Sequence, residues 1–165
     1  MRRLLTPDFQ VRHVSDVSPT WLCEKGIRAV ISDLDNTLVC WHNEEVATEV
    51  TSWLTTLRDA DIHICLASNT RRLPRLRRLA EQMEVLHVPM SARKPSTRGL
   101  RHALALLQTE PSQTAMVGDQ LLTDVLAGNR LGLTTILVNP LSPREFVATR
   151  LISRPIERLL LRRRR

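Results

Sequence analysis

The chain has 165 residues, 42% of them apolar, and a formal net charge of +7. That length fits one domain, residues 1–165, which buries about two-thirds of its unfolded surface and needs no disulfide or metal staple to fold. Arginine supplies 22 of the 24 basic residues, Lys25 and Lys94 being the two lysines. The surplus suits a phosphate-bearing partner: a nucleic acid, an anionic membrane surface or a phosphorylated substrate.

Cys23, Cys40 and Cys65 form no CxxC pair, and their odd number argues against a disulfide framework, so a reducing, cytoplasmic setting is expected. No apolar run reaches about 18 residues, so no transmembrane helix is expected. The charged start, Met1 to Leu5, is interrupted by Thr6-Pro7-Asp8, so no signal peptide is expected either.

The first 26 residues are irregular, with Ser18-Pro19 placed to start a short helix through Glu24 that Gly26 stops. Five short apolar runs follow: Ile27–Ser32, Ile62–Ala67, Val85–Val88, Thr114–Val117 and Thr134–Val138. Mostly without polar alternation, they read as buried parallel strands. Helical spacing lies between them: Val46, Val50, Trp53, Leu54 and Leu57; then Leu73, Leu76, Leu79, Ala80 and Met83; then Leu100, Ala103, Leu104 and Leu107. Strand–helix alternation with room for crossovers predicts an α/β fold on a parallel sheet. Gly128 and Gly132, with Asn129, read as helix-end punctuation. The chain closes on a basic amphipathic tail, residues 151–165. In it Ser153 is placed to cap a helix with Pro155 in its first turn, and Arg162 to Arg165 run consecutively.

In an open parallel sheet, ligands bind beyond the carboxyl ends of the strands. The first run ends in Asp33-Leu34-Asp35-Asn36-Thr37, and the fourth in Gly118-Asp119 with Asp124 five residues on. Carboxylates brought to one edge repel, and a hard divalent cation, Mg²⁺ above all, resolves the repulsion. The second run ends in Ser68-Asn69, and the third is followed by Arg93-Lys94-Pro95. These parts suit phosphoryl transfer. Asp33 is the candidate nucleophile and Asp35 the acid and base. Ser68, Asn69 and Lys94 are candidates to bind the phosphate, with Ser68 and Lys94 neutralising its oxygens. Asp119 is a candidate metal ligand, and Asp124 completes the metal shell or holds Lys94.

At these residues the chain resembles the haloacid dehalogenase (HAD) superfamily of phosphatases. The apolar-strand-DxDx(T/V) motif is matched at Asp33, Asp35 and Thr37, the strand-end Ser or Thr at Ser68, the Lys at Lys94, and GDxxxxD from Gly118 to Asp124. The likeness is closer to the YqeG-type branch, through Asp33 to Val39, Lys94-Pro95, Gly118 to Val125, Gly128 to Leu133 and Arg154 to Arg158. The resemblance implies a Rossmann-like three-layer fold, Mg²⁺ and hydrolysis of a phosphomonoester through an aspartyl-phosphate. It makes Asp33, Asp35, Asp119 and Asp124 the metal residues, Asp35 through its main-chain carbonyl. Relatives in that branch include phosphatidylglycerophosphate phosphatases.

Thirty-three residues separate Asp35 from Ser68 and 26 separate Ser68 from Lys94, which leaves no room for a cap domain. Without a lid, a bulky substrate would shield the reacting phosphate from water. The leading expectation is phosphatidylglycerophosphate at the inner membrane face, with the tail in peripheral contact. The alternatives are another bulky phosphoester (a phosphoprotein or a nucleic-acid end) and a basic RNA- or ribosome-associated protein with a secondary phosphatase site. Sparse aromatics weigh against nucleic acid, and no obligate protein partner is indicated. The five histidines show no metal spacing, although His42 lies close after the first motif. Trp41 and Trp53 are expected to pack, Trp41 with the option of touching substrate. The arginines at 71, 72, 75, 77 and 78 are expected on a solvated helix face, unless that face flanks the site and holds an anion.

Overall fold

Every apolar run becomes a strand in the computed structural model, which describes residues 2–41 and 43–142. The strands are β1 (Phe9–Gln10), β2 (Ala29–Ser32), β3 (His63–Leu66), β4 (Leu86–His87), β5 (Thr114–Gly118) and β6 (Thr134–Leu137). They form one sheet in the order β1-β6-β5-β2-β3-β4, every neighbour parallel. β2 and β5 are buried along their whole length, as strands covered on both faces must be.

The helices are α1 (Pro19–Glu24), α2 (Thr48–Asp59), α3 (Leu73–Met83), α4 (Arg98–Leu107) and α5 (Leu126–Leu131). α1 starts as its sequence predicts: the Ser18 hydroxyl accepts the Trp21 N–H at 3.4 Å, and Pro19 takes the first helical position. Alternate strand residues face opposite layers. Val30, Leu66 and Val117 meet Val50, Leu54 and Leu57 of α2 and Leu76 and Leu79 of α3. Ile31, Cys65 and Met116 meet Leu100, Ala103 and Leu104 of α4 and Ala127 of α5. The result is helices on both faces of a central parallel sheet. Truncating a fully buried leucine such as Leu57 to alanine would cost about 2–5 kcal/mol.

Three sequence readings need correction. β1 is an unexpected sixth strand, docked by the Asp8 carboxylate accepting the Thr135 N–H at 2.8 Å. Gly128 lies inside α5 rather than at its end. A Cβ there would come within 2.6 Å of the Thr135 methyl, so it is a close-packing glycine, while Gly132 (φ +75°) does end the helix. Trp41 is half exposed, whereas Trp53 is buried and donates its indole N–H to Val17 O at 2.9 Å.

From β2 to β3 the chain makes one loop and α2, and from β3 to β4 it makes α3; no cap is inserted among the described residues. No helix among them is long and apolar enough to cross a membrane. His42 and the tail, with its Ser153-led helix, lie outside the described residues.

Candidate active site

The strand order reverses at β2: β3 and β4 lie to one side, β5 and β6 to the other. Such a switch point leaves a crevice outside the carboxyl ends of the strands. Register decides which residues meet there. Ser32 is level with Leu66 on β3 and Val117 on β5. The next residues, Asp33, Ala67 and Gly118, reach the rim, followed by Ser68 and Asp119. Backbone pairing carries on into the rim, Asp33 N–H donating to Val117 O and Ala67 N–H to Ser32 O, both at 2.9 Å.

Beyond Asp33 the chain folds into a tight turn. Leu38 N–H donates to Leu34 O at 2.9 Å and Asn36 N–H to Val39 O at 2.7 Å, with Asn36 in the left-handed region (φ +62°). Asparagine tolerates that conformation better than most residues. Fully buried Leu34 and Leu38 pin the turn, which leaves Asp33 and Asp35 lining a cleft of about 430 Å³.

Asp33, in one wall of that cleft, belongs to a carboxylate cluster. Asp33, Asp119 and Asp124 each offer an oxygen within 4.8 Å of the others. Asp124 comes from a π-helical turn, Leu121–Val125, that leads into α5, and such turns are frequent at functional sites. Its Oδ2 accepts the Gln120 N–H at 3.1 Å. Gly118 is required here, because a Cβ at 118 would overlap the Asp124 carboxyl. Lys94 Nζ joins the cluster, 2.8 Å from Asp33 Oδ1 and 2.7 Å from Asp124 Oδ1. Burial alone would lower the Lys94 pKa, but Asp124 and Asp33 outweigh it and hold the ammonium charged. Asp119 is pushed up to about 7, first by burial and then by Asp33 and Asp124. Asp124 is also raised, by burial and by Asp33, with Lys94 pulling the other way. Three buried or half-buried carboxylates against one ammonium fit a divalent cation with oxygen ligands, which would relieve the repulsion that adds to burial in raising Asp119.

The opposite wall is built differently. Asp35 is not part of the carboxylate trio: its Oδ1 pairs with Arg75 Nη1 at 2.9 Å. Arg75 was expected on a solvated face, but it is 6% exposed, and its Nη2 donates to Asn43 O at 2.5 Å. Its neighbours Arg77 and Arg78 do lie on the surface, paired with Glu81 and Glu44. Arg71 and Arg72 line the cleft with Trp41, Ser68 and Asn69, so the arginine group divides between site and solvent. Ser68 is buried, and its Oγ accepts the Thr70 N–H at 3.2 Å. Asn69, expected at the phosphate, clamps Lys94: its Nδ2 donates to Lys94 O at 2.9 Å and its Oδ1 accepts the Lys94 N–H at 2.7 Å. Thr37 adds a long contact at 3.5 Å to Asp119 Oδ1. The sequence reading gave no individual role to Arg75, Thr37 or Gln120, although Thr37 and Gln120 lie within the two aspartate motifs.

Comparison with known proteins gives the same picture. The HAD-hydrolase-like family profile matches residues 91–140. The Probable phosphatase YqeG of Bacillus subtilis (strain 168) is 32% identical over 163 residues, 98% of this chain and 92% of that protein. Among solved structures, an uncharacterized protein from Listeria monocytogenes serotype 4b superposes with a TM-score of 0.56 at 18% identity, covering 67% of this chain and 78% of its own. The cobalt-bound deoxy-D-mannose-octulosonate 8-phosphate phosphatase (YrbI) of Haemophilus influenzae gives 0.52 at 22% identity, covering 71% and 70%. These two likenesses bear on the fold. The near full-length identity decides the family: the chain belongs to the YqeG-type phosphatases of the HAD superfamily, which are phosphoric monoester hydrolases.

Proposed function

We propose that this phosphatase works through an aspartyl-phosphate on Asp33, with Mg²⁺ held by Asp33, Asp119 and Asp124, and that its substrate is phosphatidylglycerophosphate. The observation that carries the chemistry is the buried Asp33–Lys94–Asp124 chain beside Asp119, with Asp35 held apart across the same cleft. An Asp33 oxygen attacks phosphorus. The bond to the leaving oxygen breaks, and that oxygen keeps the electron pair and takes a proton from Asp35. Asp35, now ionised, accepts a proton from water as the water oxygen attacks the aspartyl-phosphate. The bond between Asp33 and phosphorus breaks, its electron pair returns to the carboxylate, and inorganic phosphate leaves. In this reading Lys94 and the Ser68 hydroxyl neutralise the charge that accumulates on the phosphoryl oxygens. The bound cation supplies further positive charge to those oxygens and to the Asp33 carboxylate.

The substrate reading rests on the mouth of the cleft. No cap covers it among the described residues, it carries exposed Arg71 and Arg72, and half-exposed Trp41 lines it too. A lipid headgroup with an internal phosphodiester matches arginines, and a glycerol backbone matches an aromatic surface. In this reading the protein works at the inner face of the membrane. There the basic tail, which lies outside the described residues, adds about 1 kcal/mol of attraction per basic side chain near the surface.

The test is phosphate release from phosphatidylglycerophosphate in mixed micelles with Mg²⁺, wild type beside Asp33→Asn. Release by the wild type alone supports mechanism and substrate together. Release from p-nitrophenyl phosphate but not from the lipid keeps the mechanism and discards the substrate. No release from either, with salt-sensitive RNA binding retained by Asp33→Asn, moves the basic RNA-binding reading to the front.

A further inference from the structure

We propose that Arg75 is a positioning residue that aims the Asp35 carboxyl at the leaving-group oxygen. The inference rests on the phosphatase mechanism above and concerns a residue outside every motif that identified it.

The geometry is that of a fixed arm. Arg75 projects from the first turns of α3, forty residues after Asp35. Its guanidinium is tied at two points, Nη1 to Asp35 Oδ1 at 2.9 Å and Nη2 to Asn43 O at 2.5 Å. Asn43 belongs to the loop between the Asp33 turn and α2. Two points of the β2–α2 loop, Asp35 and Asn43, are therefore tied to one cation from α3. Asp35 Oδ1 is fully buried under this contact, while the side chain as a whole is 20% exposed and lines the cleft. Anchoring one oxygen of a carboxyl fixes the direction of the other. Asp35 thereby meets the leaving oxygen in one orientation rather than sampling its rotamers.

The arrangement is a poor stabilising device. The Arg75 Nε is buried without a hydrogen-bond partner, a loss that a well-placed apolar side chain would avoid. Buried ion pairs often contribute less to stability than hydrophobic residues of similar volume. Arg77 and Arg78, two and three residues on, keep their guanidiniums at the surface on Glu81 and Glu44. A buried arginine with one unmet donor, aimed at the proposed acid and base, is explained by what it does to Asp35.

The consequence is selective. Protonating the leaving oxygen matters for an alkoxide and little for a stable phenolate. The experiment compares wild type, Arg75→Met, Arg75→Lys, Asp35→Asn and the Arg75→Met/Asp35→Asn double variant with Mg²⁺, on glycerol 3-phosphate and on p-nitrophenyl phosphate. Circular dichroism and melting temperature confirm that each variant is folded. The expected result is a kcat about 10- to 100-fold lower for Arg75→Met on the alkyl ester, with KM little changed, and a loss under about 3-fold on the aryl ester. Arg75→Lys recovers part of the loss. In the Asp35→Asn background, Arg75→Met has no further effect, because it acts through the group already removed. Equal losses on both esters, or full additivity with Asp35→Asn, would overturn the proposal and leave Arg75 a packing residue. Wild-type protein that releases phosphate from neither ester nor from phosphatidylglycerophosphate would overturn the hydrolytic mechanism itself, and this inference with it.

Discussion

The two walls of the cleft solve the same problem, a buried carboxylate, in opposite ways. On the β2–β5 wall, Asp33, Asp119 and Asp124 crowd within 4.8 Å and share Lys94, so negative charge is left in excess. On the α3 wall, Arg75 holds Asp35 Oδ1 and is itself braced on Asn43 O. An unbalanced cluster raises carboxylate pKa values and invites a cation; a braced contact fixes a direction. The first wall is thus suited to hold a metal and phosphate, and the second to move a proton.

The largest effect should come from the crowded wall. Asp33→Asn keeps shape and removes the nucleophile, so phosphate release falls by about 10⁴-fold or more in a folded protein, a loss of the order seen when a nucleophile is deleted. Gly118→Ala ranks next. Its methyl overlaps the Asp124 carboxyl, so Asp124 and Lys94 must shift. Activity should drop about 10²-fold, with weaker Mg²⁺ binding by titration calorimetry and a lower melting temperature.

The charge excess should also be visible as a pH dependence without any substrate. In the metal-free protein Asp119 carries a pKa near 7 against an ordinary 3.8. Below about pH 4 both folded and unfolded states hold the proton, and the group costs nothing. Between about pH 4 and 7 the unfolded state releases it first, so stability falls as pH rises and then levels off. At about 1.4 kcal/mol per unit the loss is about 4 kcal/mol, or roughly 8–16 °C in melting temperature for a chain of this size. Mg²⁺ should recover it, raising the melting temperature more at pH 8 than at pH 5. Equal Mg²⁺ shifts at both pH values would break the contrast between the walls.

The smallest effects belong outside the cleft. Arg77→Gln and Arg78→Gln remove exposed ion pairs and should change stability by less than about 0.5 kcal/mol and activity by less than about 2-fold. Beside the leaving-group-dependent loss expected for Arg75→Met, they separate the buried arginine from its surface neighbours.

Much of this was legible in the sequence, for identifiable reasons. β2 and β5 are buried on both faces, so their runs lack the polar alternation of a half-exposed strand. Asp33 and Asp119 sit one residue past β2 and β5, and Ser68 two past β3, at the edge where a parallel sheet places ligands. β1 was not legible, because two residues carry no period and its anchor, Thr135, lies 127 residues from Asp8. Arg75 was hidden by its company, one arginine in a run of five, with the apolar period of α3 taken from its leucines alone. The signal was its place four residues before Leu79, inside the buried stripe. The Asn69 clamp was not legible, because its partner, the Lys94 main chain, lies 25 residues on and an amide after a strand does not announce it.

The central claim is that phosphate passes through Asp33. It is tested most directly by borohydride trapping during turnover of p-nitrophenyl phosphate with Mg²⁺, in wild type and in Asp35→Asn, where the second step is slowed. Borohydride reduces an aspartyl-phosphate to homoserine, which peptide mass spectrometry locates. The account predicts homoserine at position 33, dependent on substrate and more abundant in Asp35→Asn. Phosphate release with residue 33 unmodified, or homoserine at another aspartate, would contradict it.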